Sequence, residues 1–152
     1  MFRIIENALT VNPALERKGN LTSPAWFDAP VQKEYQKQIL SHAARYVSLD
    51  SMVGIEEWGH IAGLKAFPPP HIDKDELLYV NTEEIKLPLC SCIYYLKIDG
   101  LVGASLVIGN HKIIPESNML VLLKPGVSHE ITEYTAGVRT AIMINPWNYR
   151  IA

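Results

Sequence analysis

The spacing of apolar residues changes character partway along the chain. From Val31 to Val47, the residues Val31, Tyr35, Ile39, Leu40, Ala43, Tyr46 and Val47 recur at intervals of three and four, with Lys33, Glu34, Lys37 and Gln38 on the opposite face. That spacing predicts one amphipathic helix, ended by Ser48 to Asp50. Ahead of it, residues 1–11 carry scattered apolar residues suited to one or two short strands. Residues 12–30 hold Pro13, Pro24 and Pro30 and read as loop. Beyond the helix the pattern is that of strands. Ile55 to Leu64 is interrupted by Gly59 and Gly63 and stays ambiguous, and Leu77 to Val80 is a short apolar run. Cys92 to Ile98 alternates around Tyr94 and Tyr95, and Leu101 to Ile108 follows the hairpin signal Asp99-Gly100. Met119 to Leu123 is apolar throughout and closes at Lys124-Pro125-Gly126. Val138 to Ile144 follows the turn Thr135-Ala136-Gly137, alternates, and stops at Asn145-Pro146. One helix followed by many short strands predicts a mainly β barrel or sandwich with the helix packed outside.

The 152 residues fit one domain over 1–152, able to bury a core of its own. The net charge of −2 offers no basic surplus, so charge gives no reason to expect nucleic acid as a partner. No apolar run approaches the ~18 residues of a membrane span, and the N-terminus lacks the pattern of a secretory signal. Cys90 and Cys92 form a lone C-x-C, best read as two free thiols, which suits a reducing, cytoplasmic location.

The chemistry lies in the histidines. Of the five, His42 falls within the helix and His111 after a Gly-Asn turn, and both read as surface residues. His71 is different. Pro68-Pro69-Pro70 forces an extended backbone just before it, and in an extended chain His71 and Asp73 point the same way. One imidazole and one carboxylate at that separation can reach a single metal ion. His129 stands beyond a strand and a turn, 58 residues on, and supplies a third ligand. Two histidines and a carboxylate are the facial triad of non-haem iron(II) oxygenases, which leaves one face of the metal open. Arg139 comes ten residues after His129, on an otherwise apolar strand face with Ala141 and Met143. A guanidinium there needs an anionic partner, and its planar fork suits a carboxylate.

The order His-x-Asp, distant His, then Arg resembles the 2-oxoglutarate/Fe(II)-dependent oxygenase superfamily, and within it the prolyl-4-hydroxylase-like branch. The likeness runs over roughly residues 55–147. Its marks are the lead-in from Gly63 through Phe67 and Pro70 to His71 and Asp73, then Tyr94-Tyr95-Leu96-Lys97, then Gly103-Ala104-Ser105-Leu106, and last Gly137-Val138-Arg139 running to Pro146-Trp147. The resemblance implies a double-stranded β-helix (jelly roll), with Fe(II) at one open end held by His71, Asp73 and His129. It implies 2-oxoglutarate held by Arg139 with help from Tyr95, Tyr94 being the adjacent alternative. The reaction it implies is hydroxylation of a C–H bond by dioxygen, with 2-oxoglutarate decarboxylated to succinate, on a peptide prolyl residue or a small molecule. The sequence departs from the branch in three places. Ala62 stands where a tyrosine is common, with Trp58 or His60 as candidates to fill the space. Ala104 replaces the second glycine of a pair, and Lys97 replaces an asparagine. These departures bear on the substrate more than on the metal. Two other classes compete: a cupin-type isomerase or dioxygenase that uses no oxoacid, and a non-catalytic module that keeps the barrel as a binding surface. Neither gives Arg139 a role. Loops 49–70 and 74–90 are the expected determinants of substrate choice.

Overall fold

A computed structural model describes residues 1–17, 22–63 and 67–151. Nine strands and two α-helices are seen among them: β1 Phe2–Ile5, β2 Ala25–Asp28, α1 Glu34–Ala44, β3 Gly54–Ile61, α2 Glu76–Thr82, β4 Ser91–Gly103, β5 Leu106–Ile108, β6 His111–Ile113, β7 Met119–Leu123, β8 Glu130–Ile131 and β9 Tyr134–Trp147. Six strands form an antiparallel sheet in the order β1-β7-β4-β9-β3-β2, and three form a smaller one in the order β6-β5-β8. The two sheets make the expected mainly β jelly roll, and α1 packs outside it.

Strand alternation sorts the side chains into two cores. On one face of the large sheet Cys92, Tyr94, Leu120, Leu122, Ile142 and Ile144 meet Tyr35, Ile39, Leu40 and Ala43 of α1. On the other face Ile93, Tyr95, Met119, Val121, Leu123 and Ala141 meet Leu106, Ile108 and Ile113 of the small sheet. With both faces covered, β7 must be apolar at every position, and all five of its residues are buried. Each Ile or Leu sealed in these layers contributes about 1.5–3 kcal/mol.

Helix α1 starts at Glu34, three residues later than the apolar spacing suggests. Its N-cap Lys33 offers no side-chain acceptor. Glu16 caps the helix from a distance instead, accepting from the backbone N–H groups of Glu34 (2.9 Å) and Tyr35 (3.2 Å). At the other end Tyr46 N and Val47 N both donate to Ala43 O, so Val47 belongs to a closing turn. On the helix-facing side of β3, Glu57 accepts from Arg17 Nε (2.7 Å), Tyr35 Oη (2.6 Å) and Gln36 Nε2 (2.9 Å). This buried carboxylate ties the N-terminal loop and α1 to the large sheet.

Several sequence expectations change. The loop expected over residues 12–30 contains a 3-10 turn, Pro13–Leu15, and the edge strand β2, while residues 18–21 lie outside the described residues. The ambiguous stretch beginning at Ile55 is β3, and Leu64 lies outside the described residues. Leu77 to Val80 falls in α2, whose N-cap Asp75 accepts from Leu78 N at 3.1 Å. Asp99-Gly100 does not turn a hairpin. β4 runs through it to Gly103 with a register shift against β9 between Asp99 and Val102. Gly100 (φ 57°) and Gly137 (φ 94°) meet at this bulge, and a Cβ on Gly137 would collide with the Gly100 carbonyl. Thr135-Ala136-Gly137 is accordingly part of β9. That strand also continues through Asn145-Pro146, where Pro146 pairs with Ile55 of β3 beyond the end of the β4 pairing. Pro146 has no N–H to offer, and beyond the β4 pairing its carbonyl accepts from Leu89 N at 2.8 Å instead.

Candidate active site

The site forms on the face of the large sheet that looks toward the small one. An isolated antiparallel bridge joins His71 to His129 through two backbone hydrogen bonds: His71 N donates to His129 O at 3.1 Å, and His129 N to His71 O at 2.9 Å. This bridge brings together two residues far apart in sequence and stands their rings 4.5 Å apart. Asp73 projects from the same segment as His71. Its Oδ1 lies 3.5 Å from His71 Nε2 and 3.6 Å from His129 Nε2. One donor atom from each of the three residues lies within 4.8 Å of the others.

The atoms around this triad fix its orientation. His71 Nδ1 is 2.9 Å from Pro69 O, and His129 Nδ1 is 3.0 Å from Val127 O. A carbonyl can only accept, so each Nδ1 carries a proton, and Nε2, the nitrogen that faces Asp73, is the one left to take a metal. Asn145 Nδ2 donates to Asp73 Oδ2 at 3.2 Å, which leaves Oδ1 for the histidines. The charge state follows. The hydrogen bond to Asp73 raises the His71 pKa against the opposing effect of burial. Burial alone would raise the Asp73 carboxyl, but His71, then His129, Ser91 and Asn145, together hold it below its ordinary value. Three donors of mixed nitrogen and oxygen type converging in this way fit a divalent transition metal such as Fe(II).

A cavity leads from the triad to Arg139 and is lined by Trp58, His60, Ile93, Ile131 and Met143 among others. Arg139 is 1% exposed. Phe67 and Tyr95 cover its guanidinium carbon at 5.1 and 5.3 Å from their ring centroids, and His60 stacks on Phe67 at 4.5 Å. Neither Nε nor Nη1 of Arg139 has a hydrogen-bond partner among the described residues, nor has the Tyr95 hydroxyl. Burial lowers the Arg139 pKa and raises that of Tyr95, and each group partly offsets the shift of the other. A buried guanidinium with unused donors is a fixed receptor for a carboxylate, so the residues present fit 2-oxoglutarate. Tyr94 points the other way, into the core under α1, where its hydroxyl donates to Asn118 Oδ1 at 2.8 Å. Of the two tyrosines, Tyr95 is the one that packs against Arg139.

The structure therefore gathers His71, Asp73, His129 and Arg139 around one hollow, with Tyr95 packed against Arg139. Trp58 and His60, the candidates for the space left by Ala62, both line it, while Leu64, Lys65 and Ala66 of the lead-in lie outside the described residues. His42 is not a plain surface residue: it is half-buried, with Nε2 2.7 Å from Ala8 O, and ties α1 to the N-terminal segment. The two cysteines are free and fully buried, with their sulfurs 3.9 Å apart. Asn145 and Glu56 escaped the sequence reading. Alternation along β3 could have found Glu56, two residues from Trp58 and four from His60 on the same face.

No family model matches the sequence, and no curated protein matches it. Solved structures do match its fold. The viral collagen prolyl hydroxylase of Paramecium bursaria Chlorella virus-1, in its 2-oxoglutarate complex, aligns with a TM-score of 0.61 at 14% identity, covering 95% of this chain and 94% of that one. A Pseudomonas putida prolyl-4-hydroxylase aligns with a TM-score of 0.61 at 14% identity, over 96% and 91% of the two chains. A Trichoplax adhaerens prolyl hydroxylase, in complex with a hypoxia inducible factor peptide fragment, gives 0.52 at 16% identity, over 97% and 83%. Over nearly its whole length, then, the chain has the jelly-roll fold of these prolyl hydroxylases.

Proposed function

We propose that residues 1–152 act as one Fe(II)- and 2-oxoglutarate-dependent dioxygenase domain that hydroxylates a C–H bond. The observation that carries this is the buried Arg139, its Nε and Nη1 without hydrogen-bond partners among the described residues, at the far end of the hollow that begins at the His71–Asp73–His129 triad. His71, Asp73 and His129 hold the metal. Arg139 binds the distal carboxylate of the oxoacid through two parallel hydrogen bonds, and the Tyr95 hydroxyl adds a third donor. The backbone carbonyls of Pro69 and Val127 keep both imidazoles in the tautomer that a metal requires, and Asn145 steers the Asp73 carboxylate. Ile93, Ile131 and Met143 exclude water from the space between.

Bound together, the metal and the oxoacid activate dioxygen. One oxygen atom enters the substrate as hydroxyl and the other enters succinate, with carbon dioxide released. The substrate C–H and the oxoacid supply two electrons each. The fold likeness to prolyl hydroxylases supports a peptide prolyl residue as one substrate, and a small molecule fits the same chemistry. A cupin-type enzyme that uses no oxoacid would leave Arg139 buried without an anion. The test is succinate formation from 2-oxoglutarate under air with added iron(II), with and without candidate substrates. Metal-dependent succinate formation that rises with a substrate is expected. Folded, iron-loaded protein that makes no succinate in any mixture would overturn the proposal.

A further inference from the structure

A second cavity, of about 350 Å³, shares Trp58, His71 and Asp73 with the oxoacid pocket and adds Glu56, Lys74, Glu76 and Asn145. Glu56 and Asn145 are directly paired across β3 and β9, so their side chains leave the sheet on the same side. Asn145 is only 2% exposed; its Nδ2 is committed to Asp73, and its Oδ1 has no partner among the described residues. Glu56 forms no ion pair there among the described residues. The described cations nearest to it are otherwise engaged. Lys74 Nζ sits 3.2 Å from Glu76 Oε1, Arg17 is bound to Glu57, and Arg150 lies over the Trp26 ring. Burial, and the carboxylates of Asp73, Asp75 and Glu76, push the Glu56 carboxyl up to about 7, against a lowering by the neutral Trp147 indole. Two acceptors therefore stand side by side next to the triad, in a hollow with a substrate's worth of room, where Lys74 is turned to Glu76. Trp58 adds an aromatic wall of the kind that favours cations.

We propose that this cavity is the substrate subsite, and that Glu56 and Asn145 Oδ1 receive a cationic nitrogen, an ammonium or guanidinium, on the molecule whose C–H bond is hydroxylated. The proposal rests on the oxygenase assignment above. The cation places the reacting carbon over the open face of the triad, and Glu56 sets which molecules are admitted. The nitrogen can belong to a free amine or amino acid, or to a basic residue of a peptide.

The test is anaerobic calorimetry on protein loaded with manganese(II) and 2-oxoglutarate, where binding is read without turnover. Ligands are presented in pairs: lysine and lysine-containing peptides against their Nε-acetyl twins, and arginine against citrulline, each twin neutral at the side chain. The cationic member of at least one pair should bind about 10- to 100-fold tighter than its twin, as one charge-assisted hydrogen bond requires. Glu56→Gln should bring that ratio close to one, and Glu56→Asp should retain part of it. The pair that responds separates a free amine from a peptide. Equal binding of the twins, a ratio that survives Glu56→Gln, or no binding by any cationic ligand overturns the proposal. If 2-oxoglutarate itself gives no heat of binding, the oxygenase assignment fails. If it binds and the cation preference is missing, only the subsite proposal fails.

Discussion

Arg139→Met separates what this residue does for the fold from what it does for the site. The guanidinium is 1% exposed and leaves Nε and Nη1 unpartnered in the ligand-free protein, so its burial is a standing cost. The rings of Phe67 and Tyr95 offset part of that cost, by roughly 0.5–2 kcal/mol each. Replacing buried ionic groups with apolar side chains of similar volume is often neutral, or stabilises by about 1–4 kcal/mol. The two ring contacts together offset about the same amount, so Arg139→Met should leave the ligand-free protein within about 1 kcal/mol of wild type, a Tm shift of no more than roughly 2–4 °C. Oxoacid binding should instead fall sharply. Two charge-assisted hydrogen bonds at about 1.5–3 kcal/mol each correspond to a loss of roughly 10²- to 10⁴-fold in 2-oxoglutarate affinity. Thermal unfolding with and without 2-oxoglutarate reads both effects in one experiment. Wild-type protein should gain about 2.7 kcal/mol at a hundredfold excess over Kd, while the variant gains at most about 0.4 kcal/mol at the same concentration. A variant less stable than wild type by more than about 1 kcal/mol, or one that 2-oxoglutarate still stabilises equally, would refute this view of Arg139.

Three other outcomes follow from the same geometry. Asn145→Ala frees the Asp73 carboxylate to rotate and should weaken metal binding by roughly 10- to 100-fold, measured by calorimetry with manganese(II). Glu57→Ala strands the donors of Arg17, Tyr35 and Gln36 in the interior and should cost about 3–5 kcal/mol in urea unfolding. The third outcome concerns pH. In the metal-free protein, the raised His71 pKa contributes stability that is present below the ordinary histidine value and is lost as pH rises through the raised one. The lowered Asp73 pKa contributes stability present above the ordinary carboxylate value and lost as pH falls through the lowered one. Metal needs the neutral imidazole, so below the raised His71 pKa manganese(II) affinity should fall about tenfold per pH unit, as followed by electron paramagnetic resonance.

Much of this was legible in the sequence because two periodicities are strict. The spacing of Tyr35, Ile39, Leu40 and Ala43 marks α1, and the all-apolar β7 marks a strand buried on both faces. His71 and Asp73 were legible because the prolines fix an extended backbone, and in such a backbone alternation aligns their side chains. Elements held by distant partners were not legible. β2 is four residues on a sheet edge and half exposed, with no pattern of its own. The start of α1 depends on Glu16, whose place near residue 34 is set by tertiary structure. Gly100 reads as a turn, yet it serves a bulge because Gly137 lies opposite it. Asn145 sits before a proline that reads as a strand end, and its contact with Asp73 spans 72 residues.

The most direct measurement of the central claim is an anaerobic titration of 2-oxoglutarate into the iron(II)-loaded protein, followed in the visible region. Chelation of the oxoacid at a metal held by His71, Asp73 and His129 predicts a weak charge-transfer band that saturates with one equivalent bound. The band should be absent from Asp73→Ala and should need far more 2-oxoglutarate in Arg139→Met. No band in folded, iron-loaded wild-type protein would contradict the claim.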